Sequence, residues 1–274
     1  MDIFTAILIG IIQGLTEFLP VSSSAHLVFA QQFLGVTQNN LAFDVLLHLG
    51  TLVAVIGYFL PDIIRMIVAF FRSILDIFKG NFIEELRKDP YKKLAWLTII
   101  ATIPVGLVGV LFQKQVESLF NGITIPAFFL LITGCLLYFS QRYNVGDKNI
   151  REMGLKETIV VGIGQACAIV PGLSRSGTTI ASGLLVGLDK EFAAKFSFIL
   201  SIPAILGALV VQLGDISAGL GANTLPFIAG FLAAAISGFI AIAFLLKLIK
   251  ERSLDVFAYY CWIVGIIVLI FSFI

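Results

Sequence analysis

The sequence predicts an all-α polytopic membrane protein with six transmembrane helices and two re-entrant helical hairpins. Three observations lead to this fold class. Hydrophobic residues make up 59% of the 274 residues and charged residues only 13%, against about a quarter in soluble domains. Apolar runs of about 20 residues, the length that crosses a bilayer, recur along the chain. Two shorter apolar stretches are broken by proline and carry polar residues, which is typical of helices that turn back inside a membrane.

Charge and cysteine usage narrow the function classes. The net charge is +1, so the sequence predicts no basic surface for nucleic acid. The three cysteines, Cys135, Cys167 and Cys261, are far apart and lack the spacing of metal or redox motifs. With nucleic acid and a cysteine-bound metal not indicated, the composition predicts that the protein's main surroundings are the lipid bilayer.

The first hairpin contains the most polar segment of the apolar N-terminal region. Apolar residues 3–12 lead into the segment Gln13 to His26, and a second apolar helix follows over 23–34. Each apolar arm is too short to cross about 30 Å of hydrocarbon. Pro20 ends the first helix, and the serines after it are favourable residues for starting the next.

The remaining elements follow from hydropathy and charge. A first full span over 41–60 stops at Pro61, and the alternation of apolar clusters with charges over 62–79 predicts an interfacial amphipathic helix. The charged run 84–93 is interpreted as a solvated loop, and a short turn is predicted around Asn121 and Gly122. Five further spans are predicted near 94–112, 123–140, 193–213, 224–246 and 255–273.

The second half of the chain repeats the order of elements in the first half. The polar stretch 141–157 separates repeats of approximately 1–145 and 155–274 within a single membrane domain, 1–274. Each repeat has three full spans, an odd number, so the second repeat must be inverted in the membrane. Residues at an offset of 152 match as follows: Gln13 with Gln165, Ser22 with Ser174, Ser24 with Ser176, and Gly35 with Gly187.

The basic residues predict the orientation of the chain in the plasma membrane. One side of the predicted topology receives 16 of the 18 Lys and Arg, which identifies it as cytoplasmic. Both termini are then outside, and the hairpin tips enter from opposite sides and meet near mid-membrane. We expect the active site to open to the outer face. The cytoplasmic segments are 61–93, 141–157, 188–195 and 247–252.

The tip of the second hairpin, Pro171 to Thr179, has the composition of an anion site. A helix that starts here offers unpaired N–H groups and a positive dipole end, both suited to phosphate. Arg175 adds a permanent cation whose planar fork of donors matches phosphate oxygens. The serines of the first tip supply a similar arrangement, so a polyphosphate is the predicted occupant. The candidate substrate-binding residues are Gln13, Ser22, Ser24, Gly172, Ser174, Ser176, Gly177 and Thr178.

A carboxylate and a histidine beside the anion site predict reaction as well as binding. Glu17 lies four residues after Gln13, so both side chains share a helix face that can offer oxygen ligands to a divalent cation, Mg²⁺ or Ca²⁺. His26 can act as general base, general acid or nucleophile. Ser23 is the candidate nucleophile, with His26 as the alternative.

Two motifs of this sequence resemble a known family. The segment Gln13-Gly-Leu-Thr-Glu-Phe-Leu-Pro-Val-Ser-Ser23, followed by His26, is one, and Pro171-Gly-Leu-Ser-Arg-Ser-Gly177 is the other. Together they closely resemble the undecaprenyl-diphosphate phosphatase family of the bacitracin-resistance type, and the resemblance covers essentially the whole chain.

The resemblance implies an integral membrane hydrolase that depends on a divalent cation. Its activity would convert undecaprenyl diphosphate, a polyprenyl diphosphate lipid, to the monophosphate and thereby recycle the lipid carrier of cell-wall synthesis. Gln13 departs from the glutamate that many members have at this position, which weakens the case for two carboxylates on the cation. The family's functional positions correspond here to Glu17, Ser23, His26, Ser174 and Arg175.

A transporter or lipid flippase is the alternative, because inverted repeats with broken helices are common in transporters. Transport of an anion needs only the donors, whereas hydrolysis also needs a nucleophile and a base, and this difference favours the phosphatase. His48 lies four residues after Asp44, and a structural hydrogen-bonded pair is at least as favoured as a functional role. The oligomeric state is left open, and a homodimer is among the options.

Overall fold

Helices dominate the computed structural model, which describes residues 1–36, 41–120, 122–143, 146–219 and 224–273. Asn121 of the predicted 121–122 turn lies outside the described residues. In chain order the helices are α1 Ile3–Phe18, α2 Ser23–Phe33, α3 Leu41–Tyr58, α4 Leu60–Phe78, α5 Phe82–Lys88, α6 Pro90–Leu111, α7 Gln113–Ser118, α8 Thr124–Tyr143, α9 Leu155–Cys167, α10 Arg175–Leu185, α11 Lys190–Gly219, α12 Thr224–Glu251 and α13 Asp255–Ser272.

Several of these helices can cross a membrane. Of the described helices, α6, α8, α11, α12 and α13 are each long and apolar enough, and the bent pair of α3 and α4 raises the number to six if it counts as one span. The axes of α3 and α4 differ by 83°. Pro61 lies in the first turn of α4, where its missing N–H disrupts no helical hydrogen bond. The all-helical, multi-pass membrane architecture is therefore confirmed.

Each of the two segments predicted as hairpins contains two short helices, α1 with α2 and α9 with α10. The first helix ends just before Pro20, as predicted, because α1 continues from its apolar part through Gln13 and Glu17 to Phe18. These polar side chains do not end the helix, since they hydrogen-bond to each other one turn apart, Gln13 Nε2 donating to Glu17 Oε2 at 3.0 Å. With 16 residues, α1 is about 24 Å long, still shorter than the hydrocarbon core.

Glycines allow the short helices α1 and α9 to lie directly on long ones. A Cβ atom on Gly10 of α1 would overlap the carbonyl oxygen of Gly230 in α12. In the same way, a Cβ atom on Gly162 of α9 would crowd the carbonyl oxygen of Ala101 in α6. Gly10 and Gly162 are 152 residues apart, and small residues permit such close helix contacts in membrane proteins. α1 and α9 thus each lie against a long helix through a glycine, α1 against α12 and α9 against α6.

Aromatic packing fixes the end of α1 inside the helix bundle. Phe18, the last residue of α1, is fully buried and packs edge-to-face on Phe198 of α11, with the ring centroids 5.5 Å apart. Phe198 also packs against Phe59, at the junction of α3 and α4. The turn that follows Phe18 therefore starts from a residue that is held by packing in the bundle.

The prediction of a solvated loop over 84–93 is wrong, because these residues form α5 and the start of α6. Asp89 caps α6 by accepting the N–H of Tyr91 at 2.8 Å. Lys92 is buried, and its Nζ donates to Asp76 at 2.6 Å and to Glu85 at 3.0 Å. The hydrogen bond and the charge of Lys92 lower the pKa of Glu85. The exposed side chains of Glu84 and Lys88 agree with the predicted solvent exposure. Lys92 is instead buried, and its charge is compensated by Asp76 and Glu85.

Replacing Lys92 with alanine should therefore destabilise the fold strongly. Lys92→Ala leaves the buried Asp76 carboxylate without its cation, and breaking such a pair typically costs about 3–5 kcal/mol. Lys88→Ala is the matched control, since Lys88 is 61% exposed and exposed pairs contribute roughly 0–1 kcal/mol. Thermal unfolding of both variants in detergent measures the difference. Equal unfolding temperatures would contradict a structural role for the buried cluster.

Candidate active site

The tips of the two hairpins touch each other through hydrogen bonds. The N–H of Gly172 donates to Ser24 Oγ at 3.3 Å, joining the second tip to the first. Ser176 Oγ donates in turn to the carbonyl oxygen of Leu19 at 3.1 Å. Residues separated by about half of the chain are thus brought to one place.

The second tip is built by a glycine turn and a threonine from another helix. Gly172 has φ +95°, and a Cβ atom there would overlap the carbonyl oxygen of Pro126. Thr133 Oγ1 of α8 donates to the carbonyl oxygen of Gly172 at 2.9 Å and accepts the N–H of Ser174 at 3.0 Å. Ser174 Oγ then caps α10 by accepting the N–H of Gly177 at 3.0 Å.

The first tip places a serine in an unfavourable backbone conformation. Ser22 has φ +67°, a region that costs energy for residues other than glycine. Its Oγ accepts the N–H of Ala25 at 3.4 Å and lies 3.1 Å from Ser24 Oγ. Because α2 begins directly after this turn, the Ser23 side chain lies in the first turn of the helix.

Glu17 is the residue on which the polar side chains converge. Its Oε1 forms an ion pair with Arg175 Nη2 from the other hairpin. Its Oε2 accepts Ser23 Oγ at 2.6 Å and Gln13 Nε2 at 3.0 Å. The Glu17 side chain is 5% exposed and that of Arg175 19% exposed, so the pair is shielded from bulk water but can be reached. The arrangement can bind an anion and can also accept the Ser23 proton.

His26 lies near the first tip, but its ring is held by other groups. Its Nδ1 donates to the carbonyl oxygen of Ser22 at 2.8 Å, and its Nε2 lies 2.8 Å from the hydroxyl of Tyr260. The two rings stack with 12° between their planes. Both nitrogens are thus occupied, and in the described structure neither hydrogen-bonds to Ser23.

His48 faces Glu17 directly. Its Nε2 lies 3.9 Å from Glu17 Oε2, and the side chain is 36% exposed. Its Nδ1 donates to the main-chain carbonyl oxygen of Asp44 at 2.8 Å. The Asp44 carboxylate instead accepts Gln31 Nε2 at 2.7 Å, so the predicted contact of His48 with Asp44 runs through the main chain.

Three of the predicted phosphate-binding hydroxyls are buried in the second tip. Ser174 caps α10, Ser176 bonds to the first hairpin, and Thr178 Oγ1 has no hydrogen-bond partner within the described chain. All three residues are at most 5% exposed. Arg175 and the N–H groups of the first turn of α10 remain the donors best placed for an anion.

Sequence reasoning missed Thr133 and Tyr260, which organise the second and first tips. Each lies on an apolar span far along the chain from the residue that it contacts. The only signal was a hydroxyl group on an otherwise apolar span, which is also common in ordinary membrane helices.

The side chains around Glu17 offer few donor atoms to a divalent cation. Among the described residues no three His, Cys, Asp or Glu side chains form a metal-binding group. Glu17 supplies one carboxylate, and the fully buried Gln13 has an Oε1 atom without a hydrogen-bond partner. Mg²⁺ often binds through one or two carboxylates and takes its other ligands from water and substrate phosphates. The residues therefore fit a cation that binds together with a phosphate compound.

Comparison with known proteins agrees with the resemblance found in the two motifs. A family profile described as "Bacitracin resistance protein BacA" matches residues 6–267. A relative named "Undecaprenyl-diphosphatase" from Methanobrevibacter smithii is 67% identical over 98% of this chain and 97% of its own length. Relatives of the same name from Methanosphaera stadtmanae and Alkaliphilus metalliredigens are 47% and 46% identical, each over 99% of both chains. The chain therefore belongs to the bacitracin resistance protein BacA family.

Proposed function

We propose that this protein is a membrane hydrolase that converts undecaprenyl diphosphate to undecaprenyl phosphate and inorganic phosphate. The observation that carries the proposal is the hydroxyl of Ser23 donating to Glu17, which Arg175 holds from the opposite hairpin. Relatives that match over nearly their whole length bear the name of this activity. The reaction recycles the lipid carrier used in cell-wall polymer synthesis.

The diphosphate binds where the two helix starts face each other. Arg175 has more donors than its ion pair with Glu17 uses, and its fork matches phosphate oxygens. The first-turn N–H groups of α2 and α10 add partial positive charge to the same space. Charge that develops on the phosphoryl oxygens during reaction is stabilised by these fixed donors.

Ser23 is the proposed nucleophile. Its Oγ attacks the terminal phosphorus, the bond from that phosphorus to the bridging oxygen breaks, and undecaprenyl phosphate leaves. Glu17 accepts the Ser23 proton. Water then attacks the phosphorus of the phosphoserine, the bond from phosphorus to Oγ breaks, the proton held by Glu17 returns to Oγ, and the proton lost by the water passes to the released phosphate or to solvent. The 2.6 Å hydrogen bond supports this assignment over His26, whose nitrogens are engaged by Ser22 and Tyr260.

The proposed cofactor is a divalent cation, held by Glu17 with the free Oε1 of Gln13. When bound, such a cation neutralises the negative charge of the diphosphate oxygens. Glu17 also orients Ser23, and Arg175 provides the complementary charge.

The proposed topology is an inverted repeat in which both hairpins are re-entrant. The matching contacts of Gly10 with α12 and of Gly162 with α6 support it, as do the direct contacts between the tips. The distribution of basic residues supports termini and an active-site opening on the outer side of the plasma membrane.

A lipid-phosphate flippase or anion transporter on the same scaffold is the second candidate. The proposed inverted repeat with broken helices favours it, because this arrangement is common in transporters. The engaged Ser23 and Glu17 pair is not needed for transport, and this pair makes hydrolysis the better-supported function.

The detergent-purified protein should release inorganic phosphate from undecaprenyl diphosphate. A chelator should stop the release, and added Mg²⁺ or Ca²⁺ should restore it. Glu17→Gln should remove the activity, because it removes the proton acceptor and the cation-binding carboxylate. A protein that only moves the lipid would release no phosphate. Full turnover in excess chelator would exclude the cation from the mechanism.

Arg175→Lys should lose most of the turnover while keeping the fold. Lysine keeps the charge but lacks the two-pronged fork, and loss of one such fixed donor costs about 10²–10³ in rate. Arg175→Ala should cost more. Arg142→Lys is the control, since Arg142 is exposed and pairs with Asp255 away from the tips. Initial rates and thermal unfolding should be measured together. Parent-like turnover of Arg175→Lys would contradict the anion site.

In the proposed inverted topology, the ends of the two hairpins that lie away from the tips are on opposite sides of the membrane. Single cysteines replacing exposed residues Gln32, in α2, and Lys156, in α9, are introduced into a cysteine-free variant. A membrane-impermeant thiol reagent should label the first in intact cells and the second only after the membrane is opened. Labelling of both positions from one side would contradict the inverted arrangement.

A further inference from the structure

We propose that His48 is a direct ligand of the divalent cation, which it binds together with Glu17 and Gln13. The inference rests on the cation requirement in the proposed function. It adds a metal-binding side chain that lies outside the two sequence motifs. With glutamine at position 13, Glu17 is the one carboxylate on this helix face, so a further donor from the protein would have to come from another helix.

The orientation of the His48 ring is that of a metal ligand. A carbonyl oxygen can only accept, so the 2.8 Å contact with Asp44 places the proton on Nδ1. In this tautomer the Nε2 lone pair of a neutral ring is directed toward Glu17, at 3.9 Å from Oε2. Metal-binding histidines usually donate their other ring N–H to a carbonyl or carboxylate, which fixes the ring in this way.

The separation of the two donor atoms suits a shared cation. Nε2 of His48 and Oε2 of Glu17 are 3.9 Å apart, too far for a hydrogen bond. Donor atoms that each lie about 2.0–2.2 Å from one ion are roughly 3–4 Å from each other. An ion can therefore lie between them with little movement of either side chain.

Gln13 provides an independent indication that a cation binds here. Its side chain is fully buried, its Nε2 is fixed on Glu17 Oε2, and its Oε1 has no partner among the described residues. Buried polar atoms without a partner are uncommon and call for an explanation such as an ion. A cation beside Glu17 gives this oxygen its partner.

The other histidine lacks these features. Nε2 of His26 is occupied by the Tyr260 hydroxyl at 2.8 Å, and its ring stacks on the tyrosine. His26 thus serves as a matched control, since it lies in the same region but has no free donor nitrogen.

An imidazole ligand changes the cation that the site prefers. Carboxylate and carbonyl oxygens suit Mg²⁺ and Ca²⁺, whereas imidazole nitrogen favours transition metals. A site of one imidazole, one carboxylate and one amide oxygen should therefore bind Mn²⁺ more tightly than Mg²⁺, in contrast to the sequence-based expectation of Mg²⁺ or Ca²⁺.

Mn²⁺ binding to the purified protein tests the proposal without turnover. The aqueous Mn²⁺ electron paramagnetic resonance signal is followed as protein is added, and Mg²⁺ is titrated in as competitor. His48→Ala should weaken Mn²⁺ binding by more than about 100-fold, because loss of outer-shell partners alone costs 10–100-fold. His26→Ala should bind Mn²⁺ like the parent. Equal affinity in His48→Ala and the parent would overturn the assignment.

Pulsed electron paramagnetic resonance of the Mn²⁺-loaded parent gives a second readout that needs no variant. A ¹⁴N coupling from a directly bound imidazole is expected, and its absence would overturn the assignment. If the parent binds no Mn²⁺ but releases phosphate, the cation site is wrong and the phosphatase stands. Phosphate release and metal binding are thus judged separately.

Discussion

The ion pair between Glu17 and Arg175 is the interaction on which the site depends. It joins two hairpins whose contacting residues are separated by more than half of the chain, and both charges are largely removed from water. Leaving either one alone in such surroundings would cost several kcal/mol, so each charge requires the other hairpin to be in place. Assembly of the two halves and formation of the site are therefore one event. The contacts of Gly172 and Ser176 with the first hairpin strengthen the same connection.

Much of this arrangement could be predicted from the sequence. The apolar runs identified the spans, and Pro20 and Pro171 marked the breaks in the hairpins. The matching polar segments indicated that two tips carry related chemistry. The end of α1 before Pro20 and the shared helix face of Gln13 and Glu17 were predicted, and the two side chains hydrogen-bond to each other. The burial of Lys92 was missed, because composition records a charge but not its partners.

The rest of the site depends on tertiary contacts that no local pattern contains. Tyr260 is 234 residues from His26, and Thr133 is about 40 residues from the tip that it stabilises. Neither lies in a motif. His48 was predicted to pair with Asp44, whereas its position beside Glu17 depends on how α3 is rotated against α1. Side-chain direction of this kind is fixed by packing, so it cannot be derived from sequence spacing alone.

The positive φ angle of Ser22 affects both the stability of the protein and the geometry of its first tip. A positive φ at a residue other than glycine costs on the order of 1–3 kcal/mol, and a glycine at a helix cap sacrifices only a few tenths relative to serine. Glycine at this position would therefore relax the turn and make the protein more robust to heat. The natural residue keeps a hydroxyl beside Ser24 and retains the strain. Serine at this position thus lowers thermal stability but keeps a hydroxyl group at a fixed place in the first tip. Proteins selected for heat resistance at this turn should lose part of that fixed geometry.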